Sequence, residues 1–259
     1  MKRPSSAAAI LAAFFVAAAC KNNPVLPYDR SNPRMVLTQT IETARVIVHY
    51  SPGDIVETAR VEAYCEWAEA FMNVTLPKKI DYFKFKDREQ LYRVTGSLGT
   101  GWADPIKTEV WTYMPWLNHE CMHLYSLRLG DPPILFSEGT AEAYQVDPLN
   151  IDFESRDLIG GEKTHDIARR YKAQGRLVPL DNILVWPDWY HFDYTTTYVE
   201  AGSFVRFLAD TQGIEKVKEV FRLIGERESR EVILQKFLDI YGFTLQEAET
   251  AWLAFLDGG

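Results

Sequence analysis

The chain has 259 residues, with 28 Lys and Arg against 36 Asp and Glu and a formal net charge of −8. An acidic chain with no basic stripe argues against a nucleic-acid-binding face. With 47% hydrophobic residues it is long enough to bury a core in one large domain or two small ones.

The first predicted element is an export signal over residues 1–19. Met1-Lys2-Arg3 is a short basic start, and Ala7 to Ala19 is an apolar run of signal-peptide length, short of the roughly 20 residues a spanning helix needs. Ala17-Ala18-Ala19 directly before Cys20 resembles the bacterial lipobox. That resemblance implies cleavage before Cys20 and a lipid on this cysteine, which would tie the protein to a membrane. Lys21 stands where Asp would imply inner-membrane retention, so the expected location is the outer membrane, facing the periplasm. A plain secreted protein cut at the same small residues is the alternative. Cleavage would remove Lys2 and Arg3 from the 28 basic groups, leaving 26 against 36 acidic ones.

Residues 20–35 are polar and carry Pro24 and Pro27, the composition of a tether. A mixed α/β half follows over 36–130. Its predicted elements are a strand over Ala44–Tyr50, a turn at Ser51-Pro52-Gly53, a helix over Asp54–Phe71 and a strand over Ile80–Phe85. A short helix over Arg88–Val94 ends at Gly96, then come glycine turns from Gly99 to Asp104 and a strand over Glu109–Tyr113 that enters a helix at Pro115. The remainder, 131–259, reads as a mainly helical half, with a cleft between the two. Gly130-Asp131-Pro132-Pro133 breaks one helix, Glu138 opens the next, and Asp147-Pro148 closes it. Residues 149–163 lack periodicity and read as a loop, Thr164–Gln174 as a helix, and Leu177–Tyr194 as an aromatic-rich connection. From Thr196 the pattern is helical to the end, the last helix starting at the capping box Thr244-Leu245-Gln246-Glu247.

The helix after Pro115 carries His119-Glu120-Cys121-Met122-His123, an H-E-x-x-H pattern. Residues four apart on a helix are separated by roughly 40° of arc, so both imidazoles project from one face with Glu120 beside them. Two histidines leave a divalent metal short of a third protein ligand, and a carboxylate from a second helix completes a His2Glu site with one open position. Glu138, in Phe136-Ser137-Glu138-Gly139-Thr140-Ala141-Glu142, follows at a distance that allows one helix to finish and another to start. On the plain alternative, these histidines and glutamates are ordinary residues of two amphipathic helices.

The stretch from Trp116 to Gln145 resembles the gluzincin clan of metallopeptidases, specifically the peptidase-MA-like bacterial proteins, in which H-E-x-x-H is followed by a helix opening with E-G-x-A-x-x. The resemblance implies a zincin-like α+β fold and a zinc site with His119, His123 and Glu138 as ligands. It gives Glu120 the role of general base towards a metal-activated water, and Glu142 that of the carboxylate that orients a ligand histidine. It also implies that the strand entering the motif helix is the edge strand bordering the cleft, where a peptide substrate could add as an extra strand. Metzincins are set aside, because they need Gly and a third His where this chain has Ser126 and Leu129. Downstream, Tyr194 to Gly202 is similar to the helix that carries the catalytic tyrosine of aminopeptidase-N-like gluzincins, with Tyr198 on the tyrosine position. A phenol there could donate to the developing oxyanion; otherwise Tyr198 is a core tyrosine.

The expected function is therefore an exported zinc peptidase acting on a peptide or protein substrate. The alternative is a surface lipoprotein that uses the same fold to bind a partner or glycan without turnover, and hydrolysis of a non-peptide amide or ester is a third reading. His191 could line the cleft and contact substrate, whereas His49 and His165 read as structural. Cys65 and Cys121 either pair in an oxidising compartment or stay as two buried thiols.

Overall fold

The computed structural model describes residues 33–147, 150–154 and 162–258. The expected signal, Cys20 and nearly all of the tether lie outside the described residues. Among those described, no helix is long and apolar enough to cross a membrane.

The chain forms a mixed α/β structure with a five-stranded sheet and ten α-helices among the described residues. After a single turn of helix, α1 (Pro33–Val36), come β1 (Gln39–Glu42), β2 (Val46–Tyr50), α2 (Thr58–Met72), β3 (Ile80–Lys84), α3 (Arg88–Thr95), β4 (Gly101–Asp104) and β5 (Glu109–Thr112). The strands lie in the order β1-β2-β3-β5-β4. The central pairings β2–β3 and β3–β5 are parallel, and the two outer ones are antiparallel. Parallel neighbours require a crossover, which α2 and α3 supply.

Strand alternation divides the sheet into two faces. Val46, Val48, Ile80, Tyr82 and Val110 join the main core, while Phe83 and Phe85 face the other way with Leu37, Leu91 and Val94. His49, on that second face, hydrogen-bonds Asp81 at 2.9 Å and stacks on Phe83.

Two readings of this half need correction. The strand predicted at Ala44 starts at Val46 and pairs with β1, which carries no buried residue and so lacks the alternation that marks a strand. The stretch read as glycine turns is β4, the true edge strand, whereas Glu109–Thr112 lies inside the sheet between β3 and β4. Four residues that start at a glycine and run into Pro105 give too short a pattern to read.

The motif helix, α4 (Asn118–Ser126), starts three residues after Pro115, and α5 (Ile134–Ala143) begins directly after Pro133. Glu138 thus sits in the middle of α5 instead of opening it. Proline is well tolerated just ahead of a helix, which is why the boundary follows Pro132-Pro133. Helix α5, expected to run to Asp147-Pro148, ends at Ala143, and a small hairpin follows, β6 (Val146–Asp147) and β7 (Asn150–Glu154), its second strand within the stretch read as a loop.

Then follow α6 (Thr164–Ala173), two 3-10 turns over Leu180–Ile183 and Asp188–His191, α7 (Tyr194–Gln212), α8 (Ile214–Leu223), α9 (Arg230–Tyr241) and α10 (Leu245–Asp257). The capping box at Thr244 and Glu247 is formed. One continuous core cluster runs from Val46 through the motif helix to Leu256, so both halves of the sequence share it.

Candidate metal centre

Helix α4 is buried on nearly every side. Asn118, His119, Cys121, Met122, His123, Leu124, Tyr125 and Ser126 are all buried, and Glu120 alone is half-exposed. Asn118 fixes the start of the helix by donating to the Val146 carbonyl at 2.7 Å. A buried helix that turns two imidazoles to one side and one carboxylate towards solvent has a polar face that packing alone does not explain.

Helix α5 supplies the third group. His119 Nε2 lies 3.1 Å from Glu138 Oε2, His123 Nε2 lies 3.3 Å from the same oxygen, and the two imidazole nitrogens are 3.1 Å apart. These three atoms form a nearly equilateral triangle. A tetrahedral ion with bonds of about 2.0–2.1 Å to N and O would separate its ligands by about 3.3–3.4 Å, so the triangle matches one face of such a site. His119, His123 and Glu138 are therefore a group that could hold a metal. Two imidazoles and one carboxylate suit zinc, and other divalent transition ions as well.

The electrostatics agree with three groups aimed at one point. Burial favours the neutral form of Glu138, but the His123 and His119 imidazoles outweigh it and hold its carboxyl well below the usual range. Burial likewise opposes a charge on His119, yet Glu138, Glu142 and Glu120 raise its pKa well above the ordinary imidazole value. A cation is favoured here, whether proton or metal.

Glu142, one turn after Glu138, faces the other nitrogen of the same ring, with His119 Nδ1 at 3.6 Å. Gln145 Nε2 donates to Glu142 Oε2 at 2.5 Å and fixes that carboxylate. The Nδ1 of His123, by contrast, meets no hydrogen-bond partner among the described residues.

Helix α7 closes one side. Asp193 caps it by accepting from Thr196 N at 2.9 Å. The Tyr198 ring lies 5.8 Å from the His119 ring, between Trp189 at 5.4 Å and Tyr194 at 4.3 Å. Burial, with the charge of Glu138 second, raises the Tyr198 phenol well above its usual pKa, and a hydrogen bond with Tyr194 adds to this. A phenol that stays protonated is a donor.

The edge strand β4 closes another side. A Cβ on Gly101 would stand 3.2 Å from Glu120 Cγ and 2.9 Å from the Trp111 carbonyl, and would overlap the Leu117 side chain. Glycine is what lets the strand lie this close to Glu120.

His191 is exposed at the end of its 3-10 turn, whereas the phenol of its neighbour Tyr190 is raised in pKa by burial and, second, by the charge of Glu138. Sequence reasoning passed over Tyr190, Tyr194, Gly101 and Gln145, although the i, i+4 spacing of Tyr194 and Tyr198 was a usable signal. A second constellation has catalytic residue types but no access. Ser203 bonds His165 Nδ1 at 2.9 Å near Asp210, yet it is fully buried and accepts from Trp252 Nε1, which makes it packing between α6, α7 and α10.

Comparison of the chain with protein-family models gives no match, and comparison with curated proteins gives none either.

Proposed function

We propose that this protein is a zinc-dependent peptidase of the gluzincin type. The observation that carries the reading is the triangle of His119 Nε2, His123 Nε2 and Glu138 Oε2, with sides of 3.1 to 3.3 Å, beside the one half-exposed residue of α4, Glu120. A zincin-like arrangement is supported by the succession of β4, α4 and α5, an edge strand next to a two-histidine helix next to a carboxylate helix.

Zinc held by the three ligands would supply Lewis acidity and a water acidified towards a pKa of about 7. Glu120 takes the proton of the attacking water and passes it to the leaving amine. Tyr198 donates its hydroxyl to the oxyanion that develops on the scissile carbonyl. β4, unpaired on its outer side among the described residues, binds the substrate backbone as an added strand. Glu142 holds the His119 ring in orientation. A base held beside the ligand set favours turnover over binding alone, because a binding module has no need of one.

The same proposal includes export and membrane attachment through a lipid on Cys20, supported by residues 1–20 alone. A fatty-acid probe should label the wild type and leave Cys20→Ser unlabelled.

The central test is metal analysis and peptide-library cleavage on the full-length protein in detergent, with and without a chelator. About one zinc per chain is expected. His119→Ala, His123→Ala and Glu138→Ala should each lose metal, whereas Glu120→Gln should keep it and lose hydrolysis. Zinc kept in Glu138→Ala and lost in Glu120→Gln would reverse the two roles. A metal-loaded wild type that cleaves no peptide would remove the peptidase and leave the binding reading and the hydrolysis of a non-peptide amide or ester.

A further inference from the structure

Beyond the ligands, the metal centre carries a wall of aromatic side chains. Tyr194 and Tyr198, one turn apart on α7, have ring centroids 4.3 Å apart at an interplanar angle of 42°. Trp186 and Tyr190, on the segment leading into α7, pair at 4.2 Å and 43°. The inner end of the wall is fixed by Tyr198 against His119. The Trp186–Tyr190 pair is tied to the same side of the centre by Trp189, the residue before Tyr190, whose ring packs edge-on against Tyr198 at 5.4 Å.

Two of these rings are far from buried. Trp186 exposes 44% of its surface and Tyr194 47%, next to a centre whose histidines expose only 8%. Large aromatics left open beside a polar site mark a contact surface more often than chance exposure does. The charges on the segment are already engaged, Asp188 with Arg230 at 2.7 Å and Asp193 with Arg176 at 3.1 Å. The Trp186 backbone N–H is held by Glu226 at 3.2 Å. What the surface offers a ligand is ring faces, ring edges and phenol hydroxyls.

We propose that Trp186, Tyr190 and Tyr194, continuous with Tyr198, form a subsite for an aromatic side chain of the peptide substrate adjacent to the scissile bond. Two tilted ring pairs present faces and edges at once, and a planar aromatic ring can meet both in offset and edge-to-face contacts. An aliphatic side chain gains only burial there. The inference rests on the peptidase reading for its substrate, but the recognition it describes needs no turnover.

The test uses the full-length chain stripped of metal, with fluorescently labelled peptides that differ only in one central residue, Phe, Ala or Lys. Anisotropy should give the Phe peptide at least about tenfold tighter binding than the Ala peptide. Trp186→Ala removes a ring that is 44% exposed, and it should contract that ratio to about twofold, with Trp186→Phe restoring most of it. Tyr194→Ala is the second variant, its fold checked by circular dichroism. Equal affinity for Phe and Ala peptides, tighter binding of the Lys peptide, or an unchanged ratio in both variants would overturn the subsite. Cleavage of the same peptides by the zinc-loaded chain separates the two claims. Phe-selective binding without cleavage keeps the subsite and removes the peptidase, and cleavage without Phe preference does the reverse.

Discussion

Tyr198 is the residue whose chemistry depends most on its surroundings. If its hydroxyl donates to the oxyanion, Tyr198→Phe deletes an interaction made mainly in the transition state, so kcat should fall about 100- to 1,000-fold while KM changes little. A packing tyrosine would lose only about 1 kcal/mol of stability through one missing hydrogen bond. Steady-state kinetics with zinc content and melting temperature decides between them. Tyr194→Phe is not an inert comparison, because the Tyr194 ring packs against Tyr198 and its phenol hydrogen-bonds with it. Two residues further along α7, Glu200 makes a different prediction. It is fully buried, accepts from Val178 N at 3.2 Å, and its other oxygen has no hydrogen-bond partner among the described residues. Burial raises its pKa from 4.5 to about 8. The folded state then holds a proton that the unfolded state releases, so stability should decline as pH rises from about 4.5 to about 8 and level off above. Glu200→Gln mimics the protonated form. Urea midpoints measured across that range should fall for the wild type and fall distinctly less for the variant; parallel curves would mean that Glu200 ionises freely.

The crossing of α5 and α7 positions the centre, and it depends on two glycines. A Cβ at Gly139 would stand 2.8 Å from the Ala201 carbonyl and 2.6 Å from Val205 Cγ2, and one at Gly202 would stand 2.6 Å from Glu142 Cγ. Gly139 therefore sets the distance between the helices, while Gly202 makes room for the carboxylate that faces His119. The two substitutions should be distinguishable. Gly139→Ala meets backbone and should cost about 1–3 kcal/mol of stability. Gly202→Ala meets a side chain, so it should displace Glu142 and weaken metal binding about 10- to 100-fold, the usual cost of losing an orienting partner. Competition with a chromogenic chelator measures the second effect and thermal unfolding the first. Unchanged metal affinity in Gly202→Ala would show that Glu142 does not orient His119.

At the scale of the molecule, the main core joins the sheet, the motif helix and the C-terminal helices into one cluster. Tyr64 of α2 adds a buried tie by donating to the Tyr144 carbonyl at the end of α5, at 2.8 Å. A shared core predicts cooperative loss of both halves, so transitions followed by far-ultraviolet circular dichroism and by tryptophan fluorescence should coincide. Two separated transitions would mean that the halves fold independently. Within this core Cys65 and Cys121 are both fully buried free thiols. A hydrogen bond with Cys65, and burial after it, raise the Cys121 thiol well above its usual pKa. Both should therefore react with a thiol reagent only after unfolding.

The candidate metal-binding group was legible in the sequence because its parts are local. Four-residue spacing on a helix aims His119 and His123 to one side, and the same spacing stacks Glu138 and Glu142 on α5. Prolines and glycines likewise marked most helix limits, as at Gly96, where the left-handed conformation ends α3. What the sequence could not supply were features that depend on the partner across the gap. β4 is four residues long, and its place at the edge is decided by pairing with β5 and by the close approach of Gly101 to Glu120. The residues between Leu177 and Tyr194 have no periodicity, yet packing brings Trp186 against Tyr190 and Trp189 against Tyr198. Periodicity records which side of an element is buried, and so it determined the helices and the common direction of His119 and His123. Which elements meet around them is a property of long-range packing, and only the tertiary structure decided it.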